Sequence, residues 1–320
     1  MVEPVEITVR GHIMKSLVGF TGFVGSNIAE SGDFDRLYNS KNIAESFGTK
    51  PDLLIYAGVR AEMFLANNFP EKDFSQIVEA FENIKKIAAK KVVLISTISV
   101  YGENPHGDED SEIDVGTLAA YGKNRLWLEN AVSAECKNHL IVRLPALYGK
   151  NLKKNFIYDF ISVIPALLKK EKFEELSAQN VRLADFYAAQ ENGFFKCRDL
   201  NKAARAELKA IFAQCGFSAL NFTDSRSRYQ FYNLSYLWAH IQKALENGIE
   251  KLNITSEPVA VSELHEFLAG KPFENHLAKP PFFQDLRSKH AEIFGGRNGY
   301  FFDKEFVMED IKKFVARGEK

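Results

Sequence analysis

Three glycines constrain this chain more than any other feature. They lie in residues 14–30, which read MKSLVGFTGFVGSNIAE. Gly19, Gly22 and Gly25 recur at three-residue spacing between an apolar strand, Lys15-Ser16-Leu17-Val18, and a helix continuing through Ser26-Asn27-Ile28. One glycine can take the tight strand-to-helix turn and a second lets backbone approach a pyrophosphate. A third allows the helix to pack close on the strand. The helix N-terminus adds free N–H groups and the positive end of a dipole. A tight turn alone would explain one glycine. The flanking strand and helix supply the context that a dinucleotide site requires, with Gly19, Gly22, Phe23, Val24 and Gly25 around the diphosphate.

The residues that follow repeat the strand–helix alternation. Arg36-Leu37-Tyr38-Asn39 reads as a second strand, with Ser40 and Lys41 just beyond it. Sites for NAD commonly place a carboxylate here for the adenosine ribose, whereas sites for NADP use a cation or small polar groups. Asn39, Ser40 and Lys41 stand without an acid, which favours NADP, with NAD as the alternative; a solvated surface lysine is the plainer account of Lys41 alone. Asp52-Leu53-Leu54-Ile55-Tyr56 is a buried parallel strand whose carboxyl end, Ala57-Gly58, lies where open α/β sheets bind ligands. Residues 71–90 carry Phe74, Ile77, Val78, Phe81, Ile84 and Ile87 at helical spacing, a core-facing stripe. Val92-Val93-Leu94-Ile95 then runs into Ser96-Thr97-Ile98-Ser99-Val100-Tyr101-Gly102. Residues 103–117 are an acidic loop, and residues 119–136 a helix with Tyr121 and Arg125 one turn apart on one face. Leu140-Ile141-Val142-Arg143-Leu144 is the next strand, followed by Pro145. This succession predicts a doubly wound parallel sheet of the Rossmann type.

The length of 320 residues suits one large domain or two modest ones, and 27 phenylalanines supply ample core. A formal net charge of −1 gives no global attraction for nucleic acid or an anionic membrane. Cys136, Cys197 and Cys215 have neither metal-ligand nor redox spacing, and the seven histidines are scattered; a reduced, cytoplasmic protein without a metal site is expected. The longest apolar stretch, residues 160–168, is interrupted by Pro165 and falls short of the roughly 20 residues that cross a bilayer. Residues 1–13 lack the apolar region of a secretory signal and read as an extension ahead of Met14, weakly alternating over residues 5–9.

Four segments in register resemble one family. Gly19-Phe20-Thr21-Gly22-Phe23-Val24-Gly25-Ser26-Asn27, Ser96-Thr97-Ile98-Ser99-Val100-Tyr101-Gly102, Tyr121-Gly122-Lys123-Asn124-Arg125 and Arg143-Leu144-Pro145-Ala146-Leu147-Tyr148-Gly149 look like extended short-chain dehydrogenases/reductases, the NAD-dependent epimerase/dehydratase branch. The resemblance covers residues 14–155. It implies that Thr97 hydrogen-bonds the reacting oxygen, that Tyr121 is the acid/base, and that Ser96 and Pro145 line the cofactor. Arg125 stands where the family nearly always has lysine. It keeps the charge and offers donors to the nicotinamide ribose, but does not readily relay a proton. Free tyrosine titrates near pH 10, so a base acting near neutrality needs a shift of about three units, roughly 4 kcal/mol. A protonated tyrosine is already competent as an acid, which places reduction above epimerisation. Family dehydratases carry Asp-Glu directly after the catalytic threonine; Ile98-Ser99 stands here, which speaks against dehydration. The resemblance also implies a homodimer through the helices at 71–90 and 119–136.

Beyond residue 150 the resemblance thins. Domain boundaries at 14–155 and 156–320 are expected, with 229–256 returning to the first and a helical insertion at 169–225. Ser99 and Asn155 are candidate substrate contacts, Asn155 for a diphosphate, and Arg226 or Arg228 could grip a phosphate by bidentate contacts; of the two, Arg228 is carried as the candidate. Helices are expected at 200–215, 236–247 and 306–317, another capped by Ser262, and a strand at 251–255. The reading is an NAD(P)-dependent reductase or epimerase acting on a small, sugar-like, nucleotide-linked substrate. The alternative is a non-catalytic NAD(P)-binding protein of the same fold.

Overall fold

A computed structural model describes residues 12–318; the weak strand reading at residues 5–9 lies outside them. β1 (Lys15–Val18) runs into α1 (Phe23–Ser31), and β2 (Arg36–Tyr38) returns parallel to β1. The chain then crosses to the other side of β1 through a short 3-10 turn, Ile43–Ser46, to form β3 (Leu53–Tyr56). Next come α2 (Met63–Asn68), α3 (Pro70–Ile87), β4 (Val92–Thr97), α4 (Ala120–Glu135) and β5 (His139–Leu144). β6 (Ala146–Tyr148), α5 (Phe156–Ser162), β7 (Leu167–Lys169), α6 (Lys170–Gln179), β8 (Tyr187–Ala189), β9 (Phe194–Cys197) and α7 (Lys202–Gln214) follow. The chain closes with β10 (Arg228–Tyr229), β11 (Phe231–Asn233), α8 (Leu237–Glu246), β12 (Lys251–Asn253), β13 (Val259–Ala260), α9 (Val261–Ala269) and α10 (Lys304–Arg317).

The described residues form two compact units. One runs to Leu147 and adds Asn233–Thr255 and Leu286–Phe301; the other holds Tyr148–Tyr232, Ser256–Asp285 and the residues from Phe302. The first unit is built on a six-stranded sheet of order β2-β1-β3-β4-β5-β12, parallel throughout. The winding direction reverses at β1, so the carboxyl ends of β1 and β3 flank the switch point where open α/β sheets take ligands.

α3 covers this sheet because its apolar residues fall on one stripe. Ile77, Ala80, Ile84 and Ile87 pack with Leu54, Tyr56, Val92, Leu94, Leu128 and Val132. Each fully buried isoleucine contributes about 1.5–3 kcal/mol. Pro70 at the helix start, acids in the first turn and Lys85 and Lys86 in the last suit the helix termini and dipole. α4 brings a buried charge to the sheet: Glu129 accepts two bonds from Arg143 Nε at 3.1 Å and one from Nη2 at 2.7 Å. Arg143 Nη1 also donates to the Tyr101 hydroxyl at 2.7 Å. Such a pair holds only because both partners are fully bonded.

The second unit has its own core, in which Leu168, Leu176, Leu183, Phe186, Tyr187, Leu208, Ile211 and Phe212 are buried together. Residues 169–225 were expected to be helical. α6 and α7 are present, but β8 and β9 fall within the stretch and form an antiparallel sheet of order β7-β9-β8. These strands of three or four residues are too short to show a period-two pattern. Ser262 is not the cap of α9; Ala260 occupies that position and the Ser262 N–H donates to the Ser225 carbonyl at 2.9 Å.

The first crossover depends on glycine at two positions. A Cβ on Gly25 would lie 2.1 Å from the Gly19 carbonyl oxygen, and one on Gly19 (φ +91°) would lie 2.4 Å from that of Ala57. At Gly22 the nearest atom would be 3.3 Å away. Gly25→Ala should therefore cost about 1–3 kcal/mol in denaturant unfolding and Gly22→Ala under about 1 kcal/mol; equal losses would contradict this packing. A second expectation concerns His240 on α8, set edge-on to Phe294 and Phe301. Burial lowers its pKa from 6.5 to about 4. The folded value lies below the unfolded one, so the stability it contributes is complete above about pH 6.5 and is lost as pH falls toward 4. His240→Leu should flatten the fall in melting temperature across that window.

Candidate functional site

The sheet gathers the glycine residues at one edge. The Gly19 N–H donates to the Tyr38 carbonyl at 2.7 Å, the Gly22 N–H to the Gly19 carbonyl at 2.9 Å, and the Ala57 N–H to the Val18 carbonyl at 2.9 Å. Gly19, Gly22, Gly25, Ala57 and Gly58 thus meet at the switch point between β1 and β3. Phe23 and Val24 form the first turn of α1, where no side chain caps the helix; those amides are left to water or a ligand. The Phe23 carbonyl accepts from Asn27 Nδ2 at 2.8 Å. Beyond β2 the loop is tied to itself. Asn39 Oδ1 accepts from the Lys41 N–H and Asn42 Oδ1 from the Asn39 N–H, both at 2.8 Å. Ser40 and Lys41 are exposed, and no carboxylate stands at residues 39–41.

A second cluster lies at the end of β4. Thr97 Oγ1 accepts from the Ser99 N–H and donates to Ser99 Oγ, each at 3.1 Å, which shapes the 3-10 turn Ile98–Tyr101. A Cβ on Gly122 would stand 2.3 Å from the Ser99 carbonyl oxygen. That missing side chain lets the first turn of α4 press against the turn and brings Tyr121 within reach of Thr97. Burial pushes the Tyr121 phenol above its ordinary pKa, while Arg125 and Thr97 act in the opposite direction. The net result is a neutral phenol.

Two residues of this cluster point elsewhere than the sequence suggests. Arg125 is buried, with Nη1 bonded to Asp73 Oδ2 and Nη2 donating to the Arg60 carbonyl at 2.6 Å. Its guanidinium carbon lies 4.1 Å from the centre of the Tyr121 ring. Two of its donors are thus taken up by the protein rather than presented to a ribose. Ser96 Oγ donates to Glu129 Oε1 at 2.5 Å, so its side chain serves the buried charge network. Pro145 lies half-buried between β5 and β6.

Two predicted substrate contacts belong to the second unit. Asn155, at φ 98°, caps α5, its Oδ1 accepting from the N–H groups of Ile157 at 3.0 Å and Tyr158 at 3.2 Å. Arg228 is exposed on β10, whereas Arg226 is bound in bidentate fashion to Asp224 at 2.9 and 2.7 Å. Sequence reasoning missed Asp159 on α5, whose carboxyl burial raises to about 7. It also missed Asp73, although an acid at the head of the 73-77-80-84-87 stripe was a visible signal. Among the described residues no cluster of His, Cys, Asp or Glu could hold a metal, and no helix is long and apolar enough to cross a membrane.

Residues 28–177 match the family described as RmlD substrate binding domain. No curated protein sequence matches the chain. Among solved structures, dTDP-4-dehydrorhamnose reductase from Yersinia enterocolitica is similar at TM-score 0.62 and 14% identity, covering 95% of this chain and 99% of that one. UDP-N-acetylglucosamine 4-epimerase from Methanobrevibacter ruminantium M1, in complex with UDP-N-acetylmuramic acid, is similar at TM-score 0.60 and 12% identity, with 95% and 97% coverage. dTDP-4-dehydrorhamnose reductase from Bacillus anthracis in complex with NADP is similar at TM-score 0.60 and 15% identity, with 95% and 98% coverage. The chain thus shares the fold of these reductases and epimerases, and the family match over residues 28–177 is consistent with the extended short-chain dehydrogenases/reductases.

Proposed function

We propose that this protein is an NADP-dependent reductase of a keto group on a nucleotide-linked sugar, with Tyr121 as the proton donor. The observation that carries the reading is a neutral, buried phenol beside the Thr97 hydroxyl, on the same sheet as a glycine-built cradle that a side chain would fill. The matched family and the reductase and epimerase neighbours support this substrate class. The Bacillus anthracis complex supports NADP.

The residues fit such a cofactor at its diphosphate end. The uncapped amides of Phe23 and Val24 would hold the diphosphate, with Gly19, Gly22 and Gly25 shaping the turn and Ala57 and Gly58 alongside. Asn39, Ser40 and Lys41 would take the adenosine ribose, and Lys41 suits a 2′-phosphate. When bound, the nicotinamide supplies the hydride. The protein's part is to polarise the substrate oxygen between Thr97 and Tyr121 and to deliver a proton from the phenol. With its pKa raised, Tyr121 remains a donor throughout the neutral range and is a poor base, which favours reduction over alcohol oxidation. Epimerisation needs both directions and is the less well-served reaction. Ile98-Ser99 in place of an acid pair speaks against dehydration. Ser99 stands next to Thr97 for substrate contact, and the sequence adds Asn155 and Arg228 as further candidates. α3 and α4, where Phe74 packs edge-on against Trp127 at 5.1 Å, are the face on which a homodimer is proposed.

A specific observation favours a second reading. The cation of the acid/base motif is committed to Asp73 and the Arg60 carbonyl, as in a protein that binds NAD(P) without turnover. NADPH consumption with a panel of nucleotide-linked keto sugars, coupled to product analysis, decides between the two. Tyr121→Phe should lower kcat/KM by about 10²–10⁴-fold while NADPH still binds. Tight NADPH binding without any product across the panel would establish the non-catalytic reading instead.

A further inference from the structure

The exchange of lysine for arginine in the Tyr121 motif comes with a set of partners that the exchange alone does not require. Asp73 is the one acid on the buried stripe of α3 and is itself buried. Its Oδ2 accepts from Arg125 Nη1 and from Asn124 Nδ2, the latter at 2.8 Å. The Arg60 carbonyl takes Arg125 Nη2 at 2.6 Å, and the Asn67 carboxamide oxygen accepts the Tyr121 N–H at 3.0 Å. Three consecutive features of the chain, the segment after β3, α2 and the start of α3, therefore converge on one turn of α4. A planar guanidinium held at two of its edges can lie flat, and here its carbon sits 4.1 Å from the centre of the Tyr121 ring.

We propose that Asp73 is a positioning residue of the Tyr121 site: through Arg125 it fixes the phenol ring and balances the cation beside it, so that Tyr121 is kept as a proton donor. The proposal rests on the reading of Tyr121 as the acid. A buried guanidinium alone would draw the phenol toward phenolate, whereas a carboxylate bonded to that guanidinium opposes the effect. Both directions are found at Tyr121, with Arg125 lowering and Asp73 raising its pKa on top of the larger effect of burial. Neither charge tolerates removal of the other without leaving an uncompensated buried ion. Asp73 is thus bound to Arg125 by energetics as well as geometry.

The test follows the phenol directly, by ultraviolet phenolate titration of the full-length protein with and without Tyr121→Phe, the difference isolating Tyr121. Asp73→Asn keeps the shape and removes the charge, and should move the Tyr121 titration down by about one pH unit. The alkaline limb of the kcat/KM profile should move with it, and Asp73→Glu should restore both. Should Asp73→Asn lose cooperative unfolding, the same substitution is made in Arg125→Lys protein, where a cation is kept beside the phenol and it must again lower the titration. A Tyr121 titration unmoved by Asp73→Asn in a cooperatively folded protein, in either background, overturns the proposal. Full turnover in Tyr121→Phe would instead sink the reading of Tyr121 as the acid, and leaves the titration result standing on its own.

Discussion

The first unit of this fold depends on two backbone segments approaching where a side chain would ordinarily stand. The Gly19 carbonyl occupies the space of a Gly25 Cβ, and the Ala57 carbonyl that of a Gly19 Cβ. These contacts draw α1 onto β1 and β1 onto the end of β3, and the reversal of winding at β1 places them at the switch point. An anion-ready helix terminus thereby faces the same sheet edge as the residues that end β3 and β4. Removing that closeness would leave a parallel sheet with helices but no cradle.

Buried charge governs the other end of the site. The Arg143–Glu129 pair joins α4 to β5, and Tyr101 links it to Asn253 of β12, whose Nδ2 donates to the phenol oxygen at 2.8 Å. The Arg125–Asp73 pair joins α4 to α3. Helix α4 is thus held on two sides by ion pairs that cannot slide without exposing a charge to an apolar interior. This is how a hydroxyl and a phenol on different elements keep a fixed separation.

Much of the first unit was legible because its signals are local. The glycine spacing, the apolar run Leu53–Tyr56 and the stripe of α3 each lie within one short stretch of chain, and the elements formed close to where periodicity placed them. The acid partner of Arg125 was not legible, since Asp73 lies 52 positions away and only the crossover brings it to α4. The same holds for Ser96, whose strand position is plain but whose partner, Glu129, is chosen by packing. The β2-to-β3 connection was unreadable for another reason: it runs through a four-residue 3-10 turn, Ile43–Ser46, too short to leave a pattern. In the second unit, strands of two to four residues defeat any periodicity argument.

The core of residues 164–217 has a bearing on how the molecule breathes. Phe173 stacks on Phe195 at 3.8 Å, and the Tyr187 hydroxyl donates to the Pro165 carbonyl at 2.6 Å, so the segment satisfies much of its apolar and polar demand internally. A piece of chain with that degree of self-sufficiency can loosen and re-form as one cooperative block. Its resistance to opening is then set largely by its own aromatic packing.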